Sequence, residues 1–475
     1  MASDKHPVPR IVHRTSHITM TNLISTLMPH RLQQTIIYSI CGLVALSLGV
    51  TTTRSQSPLP TAQSSTVQPG QLPSPSPSPT LEPRPLYGVQ GVLVESLDGR
   101  VVSSQAAFNA FNPASAVKLA TALVALESLG TEHRFNTGVW TDGTWNRESG
   151  TVNGNLYISG RDPSFHYEHA IMVARQLNLL GIKEVAGDLV VSPGFTMNFD
   201  SSARRSGSEM YDTLDATLRS TQAVRAWTYE RSVLKDPESM QVVPSVAVLG
   251  DVVVAPVAPG AKLLLTQRSS RLVDILKVLL CYSNNFMAQR LGDTLGGTES
   301  VRQQLIKELG VSPADLRLAS LSGLGVNRVT PQVMMKILRG LRTELAKKGL
   351  SLSDIMPVAG IDPGTMEDRF TGSAWRGSVI AKTGTLVRTD GGVSALVGEL
   401  KSANGEVLLF VIMNQRGNIW RFRENQDYFV MLIQNSRGGP KAFSYRPLPL
   451  AMQLLDTEST VAVSEEYEPE DTNPN

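Results

Sequence analysis

The sequence predicts an α+β protein in which antiparallel strands pack with helices. Two observations carry this. Residues 378–414, SVIAKTGTLVRTDGGVSALVGELKSANGEVLLFVIMN, read as three apolar strands joined by turns at Asp390-Gly391-Gly392 and Ala403-Asn404-Gly405; turns this short connect antiparallel neighbours. Helical periodicity then recurs in residues 116–129, 271–296, 300–309 and 331–349.

The chain has 475 residues, with 44 Lys+Arg against 42 Asp+Glu and a formal net charge of +2. That length predicts two or three domains with ample core. The near-balance of charge argues against a nucleic-acid partner held by a basic field. Cys41 and Cys281 are the only cysteines; the first lies in an apolar run and the second in a predicted helix. A disulfide between them is not expected, and no Cys/His cluster has metal-ligand spacing.

In chain order, residues 1–35 form a basic cytoplasmic leader with Lys5, Arg10, Arg14 and Arg31. Residues 36–50, IIYSICGLVALSLGV, are apolar and uncharged. They suit a signal h-region or a membrane anchor, and the preceding basic side predicts export of the chain beyond residue 50. Residues 51–85 form a Pro/Ser-rich linker, too polar for a core and stiffened by alternating proline. Folded sequence begins near residue 86 with a hairpin turning at Asp98-Gly99. Residues 133–140 and 150–160 alternate like strands, and Asp162-Pro163 makes a turn. A helix then ends at Gly181 before another strand. Residues 195–240 are polar and without clear periodicity, and residues 243–265 return to strands. Residues 446–475 carry many acidic side chains and read as a disordered tail.

The most informative stretch is FNPASAVKLATALVALESLG, residues 111–130. Asn112-Pro113 can open a helix, and Leu119, Leu123, Leu126 and Leu129 fall at helical spacing. Ser115 and Lys118 are three residues apart, so the amine can reach the hydroxyl. A serine hydroxyl needs a base to become a nucleophile, and a lysine serves only when neutral. The helix N-terminus adds N–H donors for a developing oxyanion.

Two further signals come later in the chain. Ser283-x-Asn285 interrupts a helix, and Lys382-Thr383-Gly384 lies on a strand, where the glycine admits a ligand backbone. Singly, each has a bland reading: Ser115 and Ser283 as helix caps, Asn285 as a turn residue, Lys382 as a strand-edge charge. In one order and these contexts, they form the pattern of the serine acyl-transfer enzymes that include penicillin-binding proteins and β-lactamases.

The resemblance narrows with FNPASAVKLATALVALESLG, GTVNGNLYISGRDPSF, VAGDLVV, YSNNFMAQRL, SGLGVNRVTP, GTMEDRF and AKTGTL. In this order they resemble the D-Ala-D-Ala carboxypeptidases of the type-4, class C penicillin-binding protein group, peptidase family S13, over about residues 86–445. The resemblance implies a penicillin-binding-protein/β-lactamase-like transpeptidase fold, an antiparallel sheet flanked by helices, with an inserted, mainly β second domain. The catalytic domain would span residues 86–131 and 266–445, and the insertion residues 132–265. Two departures bear on substrate preference rather than catalysis. The family's GGGDP is GRDP here, at residues 160–163, and its DGSGLS is SLSGLG, so Ser320 replaces an aspartate.

By this resemblance Ser115 attacks the penultimate D-Ala carbonyl and forms an acyl-enzyme. Lys118, kept neutral by burial and by Lys382, takes the proton. Ser283 relays a proton to the departing amine, and Asn285 holds Lys118 and the substrate amide. Lys382 and Thr383 suit the terminal carboxylate. With Gly384 and Thr385 they form the substrate strand, and the N–H groups of Ser115 and Thr385 the oxyanion hole. No cofactor or metal is required. The implied partners are peptidoglycan stem peptides and, as covalent inhibitors, β-lactams, in the periplasm or cell envelope. The N-terminal apolar segment is the candidate membrane contact. Asp162, Arg328 and Arg369 read as structural. A DD-endopeptidase would use the same site. A β-lactamase is disfavoured by the wall-spacer architecture, and a silent wall-binding scaffold by the intact motifs.

Overall fold

The computed structural model describes residues 88–234 and 242–462. The leader, the apolar run 36–50 and the linker therefore lie outside the described residues. Among the described residues no helix is long and apolar enough to cross a membrane.

The principal sheet has five antiparallel strands in the order Val379–Leu386, Val393–Lys401, Val407–Gln415, Val89–Ser96, Val101–Gln105. The two strands that open the folded chain thus close a sheet built mostly from its C-terminal part. Both turns read in the sequence are present. Glycines at 391, 392 and 405 take positive φ there, which costs a residue without Cβ little. Val379–Leu386 is the outermost strand on its side. Its first half is covered by residues 357–359, through a bridge between Val358 and Ile380.

One face of this sheet meets the helical group. A 3-10 turn, Ala114–Val117, leads into the helix Lys118–Leu129. Every residue from Leu119 to Leu126 in that helix is buried. A helix apolar on all sides is one surrounded by protein. Its neighbours in the core are the helices Leu272–Tyr282, Asn285–Thr294, Gly297–Leu309 and Pro331–Ala346, together with the sheet residues Leu93, Val397 and Val411. The opposite face is covered by the helix Ile419–Asn435, whose Val430 and Ile433 pack on Ala381, Leu396 and Ile412.

A second, mixed sheet lies in the order Val252–Val254, Leu189–Val191, Leu156–Gly160, Asn136–Thr141, Lys262–Arg268, Glu458–Val461. The first three strands run parallel to one another and the remaining pairings are antiparallel. The additional sheet accords with the sequence reading, and the helices Tyr167–Leu179, Ala203–Leu214 and Thr221–Leu234 accompany it.

Three stretches differ from the sequence reading. Residues 195–240, expected to be irregular, contain two of those helices. Ala203–Leu214 starts at Ser202, whose side chain accepts from Arg205 N, and buries Met210 and Leu214 on one side. Ser206 and Thr213 are buried on that side too, and these polar residues hide the period. The helix Ile419–Asn435 has no counterpart in the sequence reading, although Asn418 caps it through Arg421 N. The tail expected from residue 446 onward also stays ordered to residue 462. Leu450 and Leu454 join the principal core, and Glu458–Val461 pairs with Lys262–Arg268. Acidic composition understated the apolar anchors between the charges. Residues 463–475 lie outside the described residues.

Candidate active site

Ser115 occupies the 3-10 turn that precedes the central helix. The turn is shaped by its approach. Ala114 sits at φ 46°, an uncommon conformation for a residue with a Cβ. Buried Asn112 holds it there. Its Oδ1 accepts from Ala114 N at 3.0 Å, while its Nδ2 donates to Asp390 Oδ2 at 2.8 Å and to Gly325 O at 3.1 Å. Asp390 is in turn paired with Arg328, at 2.7 and 3.0 Å. One amide side chain therefore ties the Ser115 turn to two other loops.

Lys118 begins the α-helical part and is fully buried. Its Nζ lies 3.0 Å from Ser115 Oγ and 2.7 Å from Asn285 Oδ1, and it also bonds the Ser322 carbonyl. Burial first, and the Lys382 charge second, hold its pKa well below the usual lysine range. A neutral amine has two N–H groups and one lone pair. Asn285 Oδ1 and Ser322 O can only accept, so they take the two hydrogens. The lone pair is left facing the Ser115 hydroxyl, which is the geometry of a general base.

The loop that supplies Ser322 is fastened one turn along the same helix, where Thr121 Oγ1 donates to Leu321 O at 2.9 Å. Gly323 makes this close approach possible. It has φ 93°, and a Cβ there would lie 2.3 Å from Ala114 O. Ser320, at the position where the family resemblance implies an aspartate, accepts from Gly323 N at 3.1 Å and donates to Leu324 O at 2.7 Å. It closes the loop on itself.

Ser283 ends the helix Leu272–Tyr282 in the left-handed conformation, φ 56°, and Asn284 caps the next helix through Met287 N. The bland capping role and the convergent one coexist. The sharp break puts Asn285 at the start of Asn285–Thr294, facing Lys118, while Ser283 Oγ accepts from Lys382 Nζ at 2.9 Å. Lys382 also donates to the Thr383 carbonyl at 2.9 Å. Burial lowers its pKa to about 7.

Lys382 and Gly384 lie on the same side of the strand, the one that meets the turn Ala114–Val117. A Cβ on Gly384 would lie 2.3 Å from Pro113 O, so only glycine permits this contact. Further back on the same strand, Ala381 N donates to Pro357 O, outside the sheet. Backbone groups alternate along an antiparallel strand. Those of Thr383 and Thr385 therefore face the same open edge, beside Ser115. Thr385 Oγ1 accepts from Arg423 at 2.9 Å.

All eight residues singled out in the sequence thus gather on three neighbouring segments: Ser115 and Lys118, Ser283 and Asn285, and the run Lys382 to Thr385. Asp162 stands apart as a buried turn residue, accepting from Ser164 N and Oγ. Arg328 and Arg369 are engaged with Asp390 and Asp427. Sequence reasoning missed the Ser322 carbonyl, Asn112, Asp390 and Arg423. A backbone acceptor leaves no residue signature, and the others depend on contacts between distant segments.

The model of the D-Ala-D-Ala carboxypeptidase 3 (S13) family matches residues 81–215 and 238–433. The D-alanyl-D-alanine carboxypeptidase of Actinomadura sp. (strain R39) is 26% identical over 424 residues, covering 68% of this chain and 77% of that protein. Among solved structures, Bd3459, a predatory peptidoglycan endopeptidase from Bdellovibrio bacteriovorus, aligns with TM-score 0.63 and 24% identity, covering 76% of this chain and 96% of that one. Penicillin binding protein 4 (dacB) from Haemophilus influenzae aligns with TM-score 0.54 and 21% identity, covering 72% and 96%. These two likenesses establish the shared fold, and the family match spans most of the folded chain. The protein belongs to the D-Ala-D-Ala carboxypeptidase (S13) family of serine peptidases, enzymes of the cell wall, and membership implies an extracytoplasmic location.

Proposed function

We propose that this protein is a penicillin-sensitive DD-carboxypeptidase that removes the terminal D-Ala from peptidoglycan stem peptides. The observation that carries the reading is the Lys118 amine, fully buried, 3.0 Å from Ser115 Oγ and with both hydrogens claimed elsewhere. Ser115 Oγ attacks the penultimate D-Ala carbonyl as its proton passes to Lys118. The tetrahedral oxyanion is met by the N–H groups of Ser115 and Thr385. Collapse expels the D-Ala amine, protonated from Lys118 by way of Ser283, and leaves an ester on Ser115. Water then attacks the ester, returning the serine hydroxyl and releasing the shortened stem peptide.

Most of the second sheet and its helices, about residues 132–265, would form an inserted lobe beside this cleft, with Glu458–Val461 added at the sheet's edge. A run of rings supports the placement: His166 to Phe199 at 4.4 Å and Phe199 to Phe286 at 5.9 Å, the last next to Asn285. The apolar run 36–50 would serve as an export signal or hold the enzyme at the membrane, with residues 51–85 as spacer.

Intact-protein mass spectrometry after penicillin treatment tests the mechanism. Wild type should gain one drug mass and Ser115→Ala none. A labelled Ser115→Ala protein would place the nucleophile elsewhere. Product analysis on a pentapeptide and on a crosslinked dimer tests the activity. Free D-Ala from the pentapeptide is the expected product, whereas cleavage of the dimer alone would make the enzyme a DD-endopeptidase.

A further inference from the structure

Beyond the eight residues already placed, one cation stands at the open end of the strand Val379–Leu386. Arg423 lies on the covering helix Ile419–Asn435 and donates to Thr385 Oγ1 at 2.9 Å. Its guanidinium lies 5.4 Å from the centroid of the Trp420 ring, itself 72% exposed. Such a stack restricts a long side chain to few orientations.

The charges around it do not balance. Asp427, one helical turn on, is the nearby acid, but it is bound by Arg369, whose Nε donates to Oδ1 at 2.9 Å and to Oδ2 at 3.3 Å. Among the described residues Arg423 enters no ion pair. Two guanidinium groups therefore stand near one carboxylate, and only Arg369 binds it. Partial burial and the Arg369 charge both disfavour the Arg423 cation, lowering its pKa. An incoming anion would relieve this.

Lys382 is poorly suited to supply that charge alone. It is fully buried, its amine is taken up by Ser283 Oγ and Thr383 O, and burial brings its pKa to about 7. An arginine stays charged throughout the working range and offers a planar fork to a carboxylate.

We infer that Arg423, with the hydroxyl of Thr385, binds the carboxylate of the residue on the leaving side of the scissile amide. This rests on the acyl-transfer reading of the site and adds a specificity residue to it. Lys382 then serves mainly the Ser283 hydroxyl and the local field.

The test compares two D-Ala thioesters that share an acyl group. One has thioglycolate as leaving group, with a free carboxylate, and the other its methyl ester, without one. The readout is the ratio of kcat/KM for the two, so a loss of folded protein lowers both values and cancels. Arg423→Gln should reduce the ratio by about 10- to 100-fold, the scale of one charged hydrogen bond, chiefly through KM for the thioglycolate. Arg423→Lys should recover part of the loss, because the charge returns without the fork. An unchanged ratio in Arg423→Gln, with wild type active on both thioesters, overturns the inference alone. Failure of wild type to turn over either thioester, or to be labelled by penicillin, overturns the acyl-transfer reading and the inference with it.

Discussion

At the scale of single residues, two buried lysines share the candidate site. Burial first, and the Lys382 charge second, lower the pKa of Lys118 and so favour its neutral form. Removing the charge should let Lys118 hold its proton to higher pH, since one of the two causes is gone. Lys382→Met is therefore expected to move the acid limb of the pH profile upward, read as acylation by a neutral ester. An unmoved limb would mean that the limb belongs to another group. Lys382 itself is lowered from about 10.5 to about 7 in the folded protein. The native state then binds fewer protons than the unfolded chain between these values, so this residue makes stability rise with pH across that window. Chemical denaturation of wild type and Lys382→Met at pH 7 and pH 9 should show the wild-type increase and its loss in the variant. Asn112 is the other residue of consequence. Asn112→Ala frees the left-handed Ala114 N–H and unties Asp390, at a cost of about 1–3 kcal/mol for buried groups left unsatisfied. Slower penicillin acylation should accompany the lowered Tm.

At the scale of elements, the decisive contact is between the edge strand Val379–Leu386 and the 3-10 turn Ala114–Val117. Glycine at 384 lets the strand approach until its Cα faces Pro113 O directly. Gly384→Ala should cost about 1–3 kcal/mol by overpacking. It should also separate Lys382 and Thr385 from Ser115, so acylation should fall by more than the stability change implies. Calorimetry beside stopped-flow penicillin acylation separates the two effects, and a normal acylation rate would refute the contact's role. The Ser283 break works likewise as an element boundary: a left-handed helix end aims two neighbouring helices so that one presents Ser283 and the other Asn285.

At the scale of the whole molecule, the C-terminal residues fasten the fold in two places. Leu450 and Leu454 lie in the principal core, His169 Nε2 contacts Leu454 O at 2.8 Å, and Glu458–Val461 extends the second sheet. Arg134 and Arg268 pair with Glu458 across that strand. Leu450→Ala should destabilise by about 2–5 kcal/mol, as for other buried leucines. Truncation after residue 449 should lower Tm further while leaving the Ser115 neighbourhood chemically intact, which urea unfolding with penicillin labelling of the remaining folded protein would check. A tail that merely carried charge would be removed without a change in Tm.

The local chemistry was legible in the sequence. Periodicity marked the central helix, short glycine turns marked the antiparallel sheet, and the three motifs named the residues that meet at the site. These signals are written in neighbouring residues, because helix faces, turns and caps repeat over three or four positions. What only the tertiary structure decided was set by partners far apart in the chain. The polar surface of Ala203–Leu214 and the acidic run after residue 446 hid elements whose apolar anchors make sense only against another layer. The lowered pKa of Lys118 depends on how deeply other segments bury it, and one of its hydrogen-bond partners is a carbonyl at residue 322. The Arg423 cation comes from a helix on the far side of the sheet, 38 residues beyond the threonine it meets. No local pattern encodes that meeting, since it depends on the packing of Val430 and Ile433 that fixes the helix on the sheet.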